Sequence, residues 1–318
     1  MARVDLSTEL CGIRLSNPTV LASGILGTTK SLLKRVSSAG AGAVTIKSLS
    51  LDPLPGHNNP IMVGFEAGAA GTMQGGCAAG FLNAVGYSNP GVKEAVKEFK
   101  DLSDVGAPVI ASVIGRGVGD FMKVVEGLWG LDFSAIELSL SCPHTPGFGM
   151  MAGQNTPEAT KEIITAVRTM TRLPLFVKLS PNVPEIGRIA KAAEEAGADG
   201  ITAVNTLGPG MVINIEARQP VLDFKVGGVS GPALRPIAVR CVYDIYKAVS
   251  IPIIGVGGVS TGRHAIEMLM AGASAVGIGT AVYYQGIGVF QEVCREMEEW
   301  MTANGYPSIK ELVGAVHN

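Results

Sequence analysis

Short apolar segments recur along the chain from about residue 18, and each is closed by Gly, Pro, Asn or Ser. Between them lie segments of helical period. In the clearest one, Ile186, Ile189, Ala190 and Ala193 share one helix face, and Gly197 follows the last turn as a stop signal. Continuous apolar strands that alternate with helices predict a parallel sheet buried on both faces. The candidate strands are 18–23, 43–48, 108–114, 134–141, 174–180, 199–205, 251–258 and 273–280.

The number and spacing of these units predict the fold class. Eight strand–helix units in roughly 260 residues match a closed α/β barrel, the (β/α)8 TIM barrel, in count and in size. An open doubly wound sheet is the alternative, but no early GxGxxG motif supports it. No domain boundary is evident, so we expect residues 1–318 to form a single domain.

Three segments interrupt the repeating pattern. Residues 4–17 predict an N-terminal hairpin that precedes the first barrel strand and covers the bottom of the barrel. Residues 49–91 and 207–231 are Pro- and Gly-rich rim insertions after strands two and six. Both follow the carboxyl ends of strands, where barrels of this kind carry their ligand sites. Long insertions inside a compact domain are usually functional, so we expect these two to act as lids.

Composition and charge narrow the function classes. The 318 residues carry 25 Lys and Arg against 27 Asp and Glu, with no basic block, which argues against nucleic acid as a partner. The mean hydropathy of +0.33 is high, yet no uncharged apolar run is long enough to span a membrane or to act as a secretory signal. The five cysteines and four histidines show no metal-ligand spacing, which predicts free thiols, no metal site and a cytoplasmic protein.

The ends of strands seven and eight indicate phosphate binding. Gly257 and Gly258 end one strand, and Gly279 and Thr280 end the next. Glycines let the backbone approach a ligand closely, and phosphate sites after strands seven and eight recur in this fold. The alternative is that these glycines only make tight turns. A phosphate site by itself does not distinguish a flavin from a phosphosugar.

Two lysines end apolar strands, Lys47 in AVTIKS and Lys178 in PLFVKLS. A buried, unpaired ammonium is very costly, so each lysine must reach solvent or meet an anionic partner. Two lysines on the same face of one barrel favour an anion or an electron-rich ring across its mouth. Lysines that point to solvent, or a Schiff-base role for either one, remain alternatives.

A cysteine and several amides complete the candidate chemistry. Cys142 follows strand four, and Pro143 prevents the strand from continuing, which places the thiol at the rim. A thiol there can act as a base or nucleophile, or can be an inert packing residue. His144 is two residues further on. The other cysteines, Cys11, Cys77, Cys241 and Cys294, lack this placement, so we expect them to be structural. Asn83 and Asn205 lie in rim loops, where an amide can hold a planar polar ligand or simply satisfy a turn.

Five motifs carry a resemblance to a known family: SCPH (141–144), VKLSPN (177–182), LNAVGYSNPG (82–91), NTLG (205–208) and GGVSGPALRP (227–236). With these motifs in this order, the chain resembles class 1 dihydroorotate dehydrogenases, most closely the archaeal-type class 1B catalytic subunit. The resemblance implies an FMN-dependent barrel that oxidises dihydroorotate to orotate in pyrimidine (UMP) synthesis. It also implies an electron-transfer subunit with FAD and an iron–sulfur centre, in a homodimer or heterotetramer, although the electron acceptor stays open.

The resemblance also implies roles for individual residues. Cys142 would remove the C5 proton of dihydroorotate while the C6 hydride passes to flavin N5, and Lys47 would lie between flavin and substrate. The implied substrate contacts are Lys47, Asn83, Ala84, Val85, Gly86, Tyr87, Ser139, Asn205 and Thr206. The implied flavin contacts are Ser23, Lys47, Ser48, Ser112, Ser139, Lys178, Val204, Gly231, Gly257, Gly258, Gly279 and Thr280.

Three positions depart from the family pattern. Ser112, Ser139 and His144 stand where the family usually has asparagine. Serine is shorter than asparagine, so a direct ligand contact could become water-mediated. These departures keep open a relative that acts on another dihydropyrimidine, because SCPH and GGVSG are also similar to the flavin domain of dihydropyrimidine dehydrogenase. A Schiff-base aldolase or synthase on the same barrel stays open as well, as does a flavin subunit that only passes electrons to a partner.

Overall fold

The computed structural model describes residues 4–66, 78–141 and 147–317. Its strands, in chain order, are β1 (Thr8–Leu10), β2 (Ile13–Leu15), β3 (Thr19–Leu21), β4 (Ala43–Thr45), β5 (Met62–Glu66), β6 (Ala78–Asn83), β7 (Val109–Val113), β8 (Ala135–Ser139), β9 (Leu175–Leu179), β10 (Gly200–Ala203), β11 (Leu207–Gly210), β12 (Ile213–Asn214), β13 (Gln219–Pro220), β14 (Gly227–Ser230), β15 (Ile253–Val256) and β16 (Ala275–Ile278). Its helices are α1 (Lys30–Ser38), α2 (Val92–Glu98), α3 (Val118–Gly127), α4 (Pro157–Arg168), α5 (Ile186–Glu195), α6 (Arg235–Tyr246), α7 (Gly262–Met270), α8 (Ala281–Gln285) and α9 (Val289–Asn304).

Eight of these strands close into one parallel barrel. Around the ring the order is β3, β4, β7, β8, β9, β10, β15 and β16, and β16 pairs back onto β3. Each strand lies inside one of the eight segments that the apolar pattern predicts. The predicted (β/α)8 barrel is therefore confirmed, and the open doubly wound sheet is wrong. Within the described residues, no helix has both the length and the apolar character needed to cross a membrane.

The hairpin of β1 and β2 closes the amino-terminal end of the barrel. The two strands pair antiparallel where the sequence predicts a hairpin. Leu10 and Leu15 pack with inward-facing residues from the starts of the barrel strands, among them the fully buried Phe176. Because strand residues alternate between the two faces, the second residue after each of these also faces the interior, nearer the mouth. This alternation brings Ser112, Glu137 and Lys178 into the upper part of the barrel.

The helices pack their apolar faces on the outside of the barrel. Helix α5 confirms the predicted amphipathic pattern, since Ile186, Ile189, Ala190 and Ala193 are all buried against the barrel. Helices α4 and α7 begin at threonine N-caps whose hydroxyls accept backbone N–H groups of their first turns.

The two rim insertions form one small sheet. Strands β5 and β6 come from the first insertion, and β11 and β14 come from the second. They pair in the antiparallel order β11–β14–β6–β5. Leu82, Ala84 and Leu222 form its buried core. The sequence predicts both insertions at this rim but not the strands within them, because the pairing joins segments that are far apart in the chain.

Candidate active site

A cavity of about 390 Å³ lies at the carboxyl-terminal mouth of the barrel. This volume falls in the range typical of small-molecule sites, roughly 300–1,000 Å³. Ends of the barrel strands form its walls, and the small rim sheet forms one side. Most of the residues implied by the resemblance line it: Ser23, Lys47, Ser48, Asn83, Val85, Gly86, Tyr87, Ser139, Lys178, Val204, Asn205, Thr206, Gly231, Gly257, Gly258, Gly279 and Thr280.

Two of the other expected residues, Ala84 and Ser112, do not line the cavity. Ala84 is fully buried and packs in the core of the rim sheet rather than in the cavity wall. Ser112 has 0% exposure and lies behind Ser48, with 2.9 Å between the two hydroxyl oxygens. The structure therefore places Ser112 one layer behind the wall. Cys142 and His144 lie outside the described residues.

Several lining residues are not predicted by the sequence pattern. Ser230 belongs to the GGVSG segment, which is part of the resemblance, so the sequence could have indicated it. Its hydroxyl oxygen lies 2.9 Å from that of Thr280. Ile61, Met62 and Tyr283 carry no local signal. Ile61 and Met62 reach the cavity from the start of β5 in the rim sheet, and Tyr283 reaches it from α8.

Lys178 crosses the mouth of the barrel. Its side chain is only 5% exposed, and its Nζ donates to the Ser23 hydroxyl at 2.8 Å. Lys178 lies on β9 and Ser23 follows β3, and these strands occupy opposite positions in the ring of eight. The Lys178 side chain therefore extends across the floor of the cavity. The prediction that Lys178 faces a ligand site at the mouth is consistent with this placement, and the solvent-facing alternative is not.

Lys47 brings a second, poorly compensated positive charge to the cavity. Its side chain is partly buried, and burial alone lowers the pKa of its ammonium below the usual value. No carboxylate of the described residues contributes to this pKa in the opposite direction. An anionic or electron-rich ligand in the cavity would supply the compensation that the protein lacks.

Polar side chains converge on the other side of the cavity. The Asn205 amide donates to the Ser141 hydroxyl at 2.9 Å, and its oxygen accepts the backbone N–H of Thr206 at 2.8 Å. The Tyr87 and Ser139 hydroxyl oxygens are 3.4 Å apart. These bonds fix the orientation of the amide and hydroxyl groups, so the site is preorganised for a small polar ring. Asn205 also holds the residue directly before Cys142.

The glycines at the far end of the cavity differ in what they require. Gly257 and Gly258 have φ values of 143° and 72°, and a Cβ on Gly258 would lie 2.7 Å from the Arg235 Cβ. Tight backbone geometry is thus a sufficient reason for these two glycines. Gly279 needs no positive φ, and a Cβ there would meet only Ala22, at 3.6 Å. The missing side chain at Gly279 leaves room in the cavity, as a closely bound phosphate group would require.

The described cysteines have the character of packing residues. Burial raises the pKa of the Cys11 and Cys294 thiols to about 12 and that of Cys241 to about 11. None of the three lines the cavity. This agrees with the expectation that they are structural. Cys77 shares that expectation but lies outside the described residues.

These thiols should resist alkylation in the folded protein. At pH 8 their thiolate fractions should be roughly 10²–10³-fold below that of an ordinary thiol of pKa about 8.5. Iodoacetamide should label Cys11, Cys241 and Cys294 that much more slowly in the native state than in urea, as measured by peptide mass spectrometry. Native labelling at the unfolded rate would show that these residues are accessible and ionised.

Fold and cavity together define a class of protein. It is a (β/α)8 barrel enzyme whose rim site, with two lysines and a glycine-lined end, suits a planar, phosphorylated ligand. The profile of the dihydroorotate dehydrogenase family matches residues 5–301. The chain belongs to the dihydroorotate dehydrogenase family, a family of flavin-dependent oxidoreductases that act in pyrimidine synthesis.

Curated relatives agree over nearly the whole length. The chain is 46% identical over 314 residues to the "dihydroorotate dehydrogenase B (NAD(+)), catalytic subunit" of Methanothermobacter thermautotrophicus, covering 98% of this chain and 99% of the relative. It is 42% identical to the protein of the same name from Methanocaldococcus jannaschii, with both chains covered completely. The relative of that name from Pyrococcus abyssi is 42% identical, with 97% and 98% covered. The resemblance to the class 1B catalytic subunit is thereby confirmed.

Proposed function

We propose that this family member uses FMN, bound across the mouth of the barrel, to oxidise dihydroorotate to orotate. The observation that carries the proposal is the pair of lysines in one cavity. Lys178 spans the floor, and Lys47 has a charge that burial leaves uncompensated. An extended, electron-rich ring with a phosphate tail satisfies both, and the family is flavin-dependent.

The residues at the far end of the cavity fit the phosphate of FMN. Gly231, Gly257, Gly258 and Gly279 line this end, together with the Thr280 hydroxyl. The open space beside Gly279 is the feature that a side chain would fill. Backbone N–H groups in such a glycine-lined pocket are suitable partners for phosphate oxygens. In this arrangement Ser23, Ser48, Lys178 and Val204 would line the ring.

The substrate would bind on the side where the polar groups converge. Asn83, Asn205 and Thr206 line the cavity beside Tyr87 and Ser139. Their amide and hydroxyl groups can both donate and accept, as the alternating C=O and N–H groups of a dihydropyrimidine ring require. Lys47 would stabilise the carboxylate or the developing negative charge of the substrate. Bound flavin supplies the hydride acceptor for the oxidation.

Cys142 is the proposed base for the C5 proton. It follows Ser141 in the sequence, and the Asn205 amide donates to the Ser141 hydroxyl at 2.9 Å, so Asn205 would contact both the substrate and the residue directly before the base. A thiol has a pKa near ~8.5, close enough to neutral pH for proton transfer.

The route of the electrons after flavin reduction is a further proposal. The relatives carry the words "B (NAD(+)), catalytic subunit" in their names. We propose an electron-transfer subunit with FAD and an iron–sulfur centre that links this chain to NAD, in a homodimer or heterotetramer in the cytoplasm. The five cysteines of the chain lack cluster-binding spacing, so the iron–sulfur centre would belong to the partner. Residues 1–318 would act as one domain.

Anaerobic flavin reduction tests the proposed function directly. The purified protein should be yellow, release FMN on denaturation, and bleach on addition of dihydroorotate. A panel that also contains dihydrouracil and dihydrothymine tests the second candidate, which Ser112 and Ser139 favour because both are shorter than the usual asparagine. If dihydrouracil bleaches the flavin faster than dihydroorotate does, dihydrouracil is the better substrate and the proposed one is wrong. A colourless protein that becomes covalently linked to a phosphosugar on borohydride reduction would refute flavin binding and indicate a Schiff-base lysine.

A further inference from the structure

A buried carboxylate lies inside the barrel and has no role in the site described above. Glu137 is on β8, faces the interior and is 3% exposed. In the described part of the chain, no Lys or Arg forms an ion pair with it. A buried, unpaired carboxylate is costly, so a reason for its presence has to lie in what it contacts.

Glu137 begins a chain of hydrogen bonds that ends at the cavity wall. The Ser112 hydroxyl donates to the Glu137 Oε1 at 3.1 Å. The same Ser112 oxygen is 2.9 Å from the Ser48 hydroxyl oxygen. Ser48 lines the cavity, whereas Ser112 and Glu137 do not. Three residues on three adjacent strands or their ends, β4, β7 and β8, thus connect the barrel interior to the ligand site.

The carboxylate sets the direction of this chain. The Glu137 Oε1 accepts the hydrogen of the Ser112 hydroxyl, and a serine hydroxyl has only one hydrogen to donate. Ser112 gives its hydrogen to Glu137, so the bond between the two serines must use the hydrogen of Ser48. The Ser48 hydroxyl is then left with lone pairs, and no hydrogen, for the cavity.

We propose that Glu137 is a positioning residue that, through Ser112, makes Ser48 a hydrogen-bond acceptor for the ring of the cofactor. The inference rests on the flavin site of the proposed function. The proposal also gives Ser112 a role. Its side chain does not reach the cavity past Ser48, but it donates to Glu137 and so leaves its own oxygen to accept the hydrogen of Ser48. The ligand group opposite Ser48 is accordingly an N–H donor.

Variants at both buried positions test the relay. Glu137→Leu removes the acceptor and leaves the Ser112 hydroxyl free to donate to Ser48, which reverses the chain, whereas Ser112→Ala breaks the chain and keeps the carboxylate. Thr202→Val is the matched control, because Thr202 is a barrel residue with 2% exposure whose hydroxyl has no hydrogen-bond partner among the described residues. FMN affinity of the flavin-free proteins is measured by fluorescence titration, and the flavin absorption bands are recorded on the reconstituted proteins.

Each relay variant should raise the FMN dissociation constant roughly fivefold, the scale of one lost hydrogen bond, and should shift the flavin bands. The double variant should be no worse than the poorer single variant, because the residues act as one unit. Thr202→Val should stay within about twofold of wild type. Unchanged affinity and spectra in Ser112→Ala, or additive losses in the double variant, would overturn the relay. Failure of the wild-type protein to bind FMN would instead refute the flavin site itself.

Discussion

Replacing Cys142 with alanine should slow the anaerobic reduction of bound flavin by dihydroorotate about 10²-fold or more. This is the usual scale for the loss of a positioned general base. FMN content should stay at the wild-type level, since the proposed flavin contacts lie at or just after the carboxyl ends of the barrel strands and of β14, and Cys142 is not among them. The measurement is stopped-flow absorbance of the flavin band after mixing with substrate without oxygen.

Two controls separate the base from a general effect of losing a thiol. Cys241→Ala makes the same chemical change on α6, away from the cavity, and should leave the reduction rate unchanged. In wild type, the rate should increase with pH as the Cys142 thiol loses its proton, and this dependence should be absent in Cys142→Ala. Flavin reduction at the wild-type rate in Cys142→Ala would show that another group removes the proton.

Replacing Lys47 with methionine should affect function and stability in opposite directions. Methionine keeps much of the apolar stem but removes the charge that faces the proposed ring and substrate. We expect flavin reduction to slow about 10²-fold, the scale of one lost electrostatic contact in a water-poor site. The melting temperature of the flavin-free protein should rise by about 2 °C, the scale of roughly 1 kcal/mol in a chain of this size.

The stability gain should depend on pH in a definite direction. Burial lowers the folded-state pKa of Lys47, so the folded protein disfavours its charged form. This cost is fully present below the folded-state pKa and disappears above the unfolded value, near ~10.4. The difference in melting temperature between variant and wild type should therefore shrink as the pH rises towards 10.

Lys100→Met is the matched control for this prediction. Lys100 is exposed, so the same substitution should change neither flavin reduction nor the melting temperature measurably. A lower melting temperature for Lys47→Met together with a wild-type reduction rate would assign Lys47 to packing alone.

The strength of the sequence prediction differs between parts of the site. The two lysines are visible in the sequence because a charged residue at the end of an apolar strand is chemically unusual. The position of Ser112 relative to the cavity is not visible in the sequence, since the pattern shows only that its side chain faces the interior. Whether a serine reaches the cavity depends on how far the neighbouring strand is shifted, and here Ser48 stands in front of it at 2.9 Å.

Local sequence patterns are also insufficient to predict the small sheet at the rim. Periodicity places insertions after strands two and six, but the β6–β14 pairing joins Leu82 to Val229 across a long separation in sequence. Short segments rich in Gly and Pro carry little local preference for strand. Their pairing depends on the barrel that brings the two rim segments together.

The sequence alone determined the barrel, its eight strands and the side of the molecule that carries the site. Each of these follows from local periodicity and from the rule that parallel strands share one carboxyl-terminal edge. Only the tertiary structure decided that Lys178 reaches Ser23 just after the opposite strand, that the insertions form one sheet, and that Glu137 connects to the cavity wall. These features depend on distances across the closed barrel, which no local pattern contains.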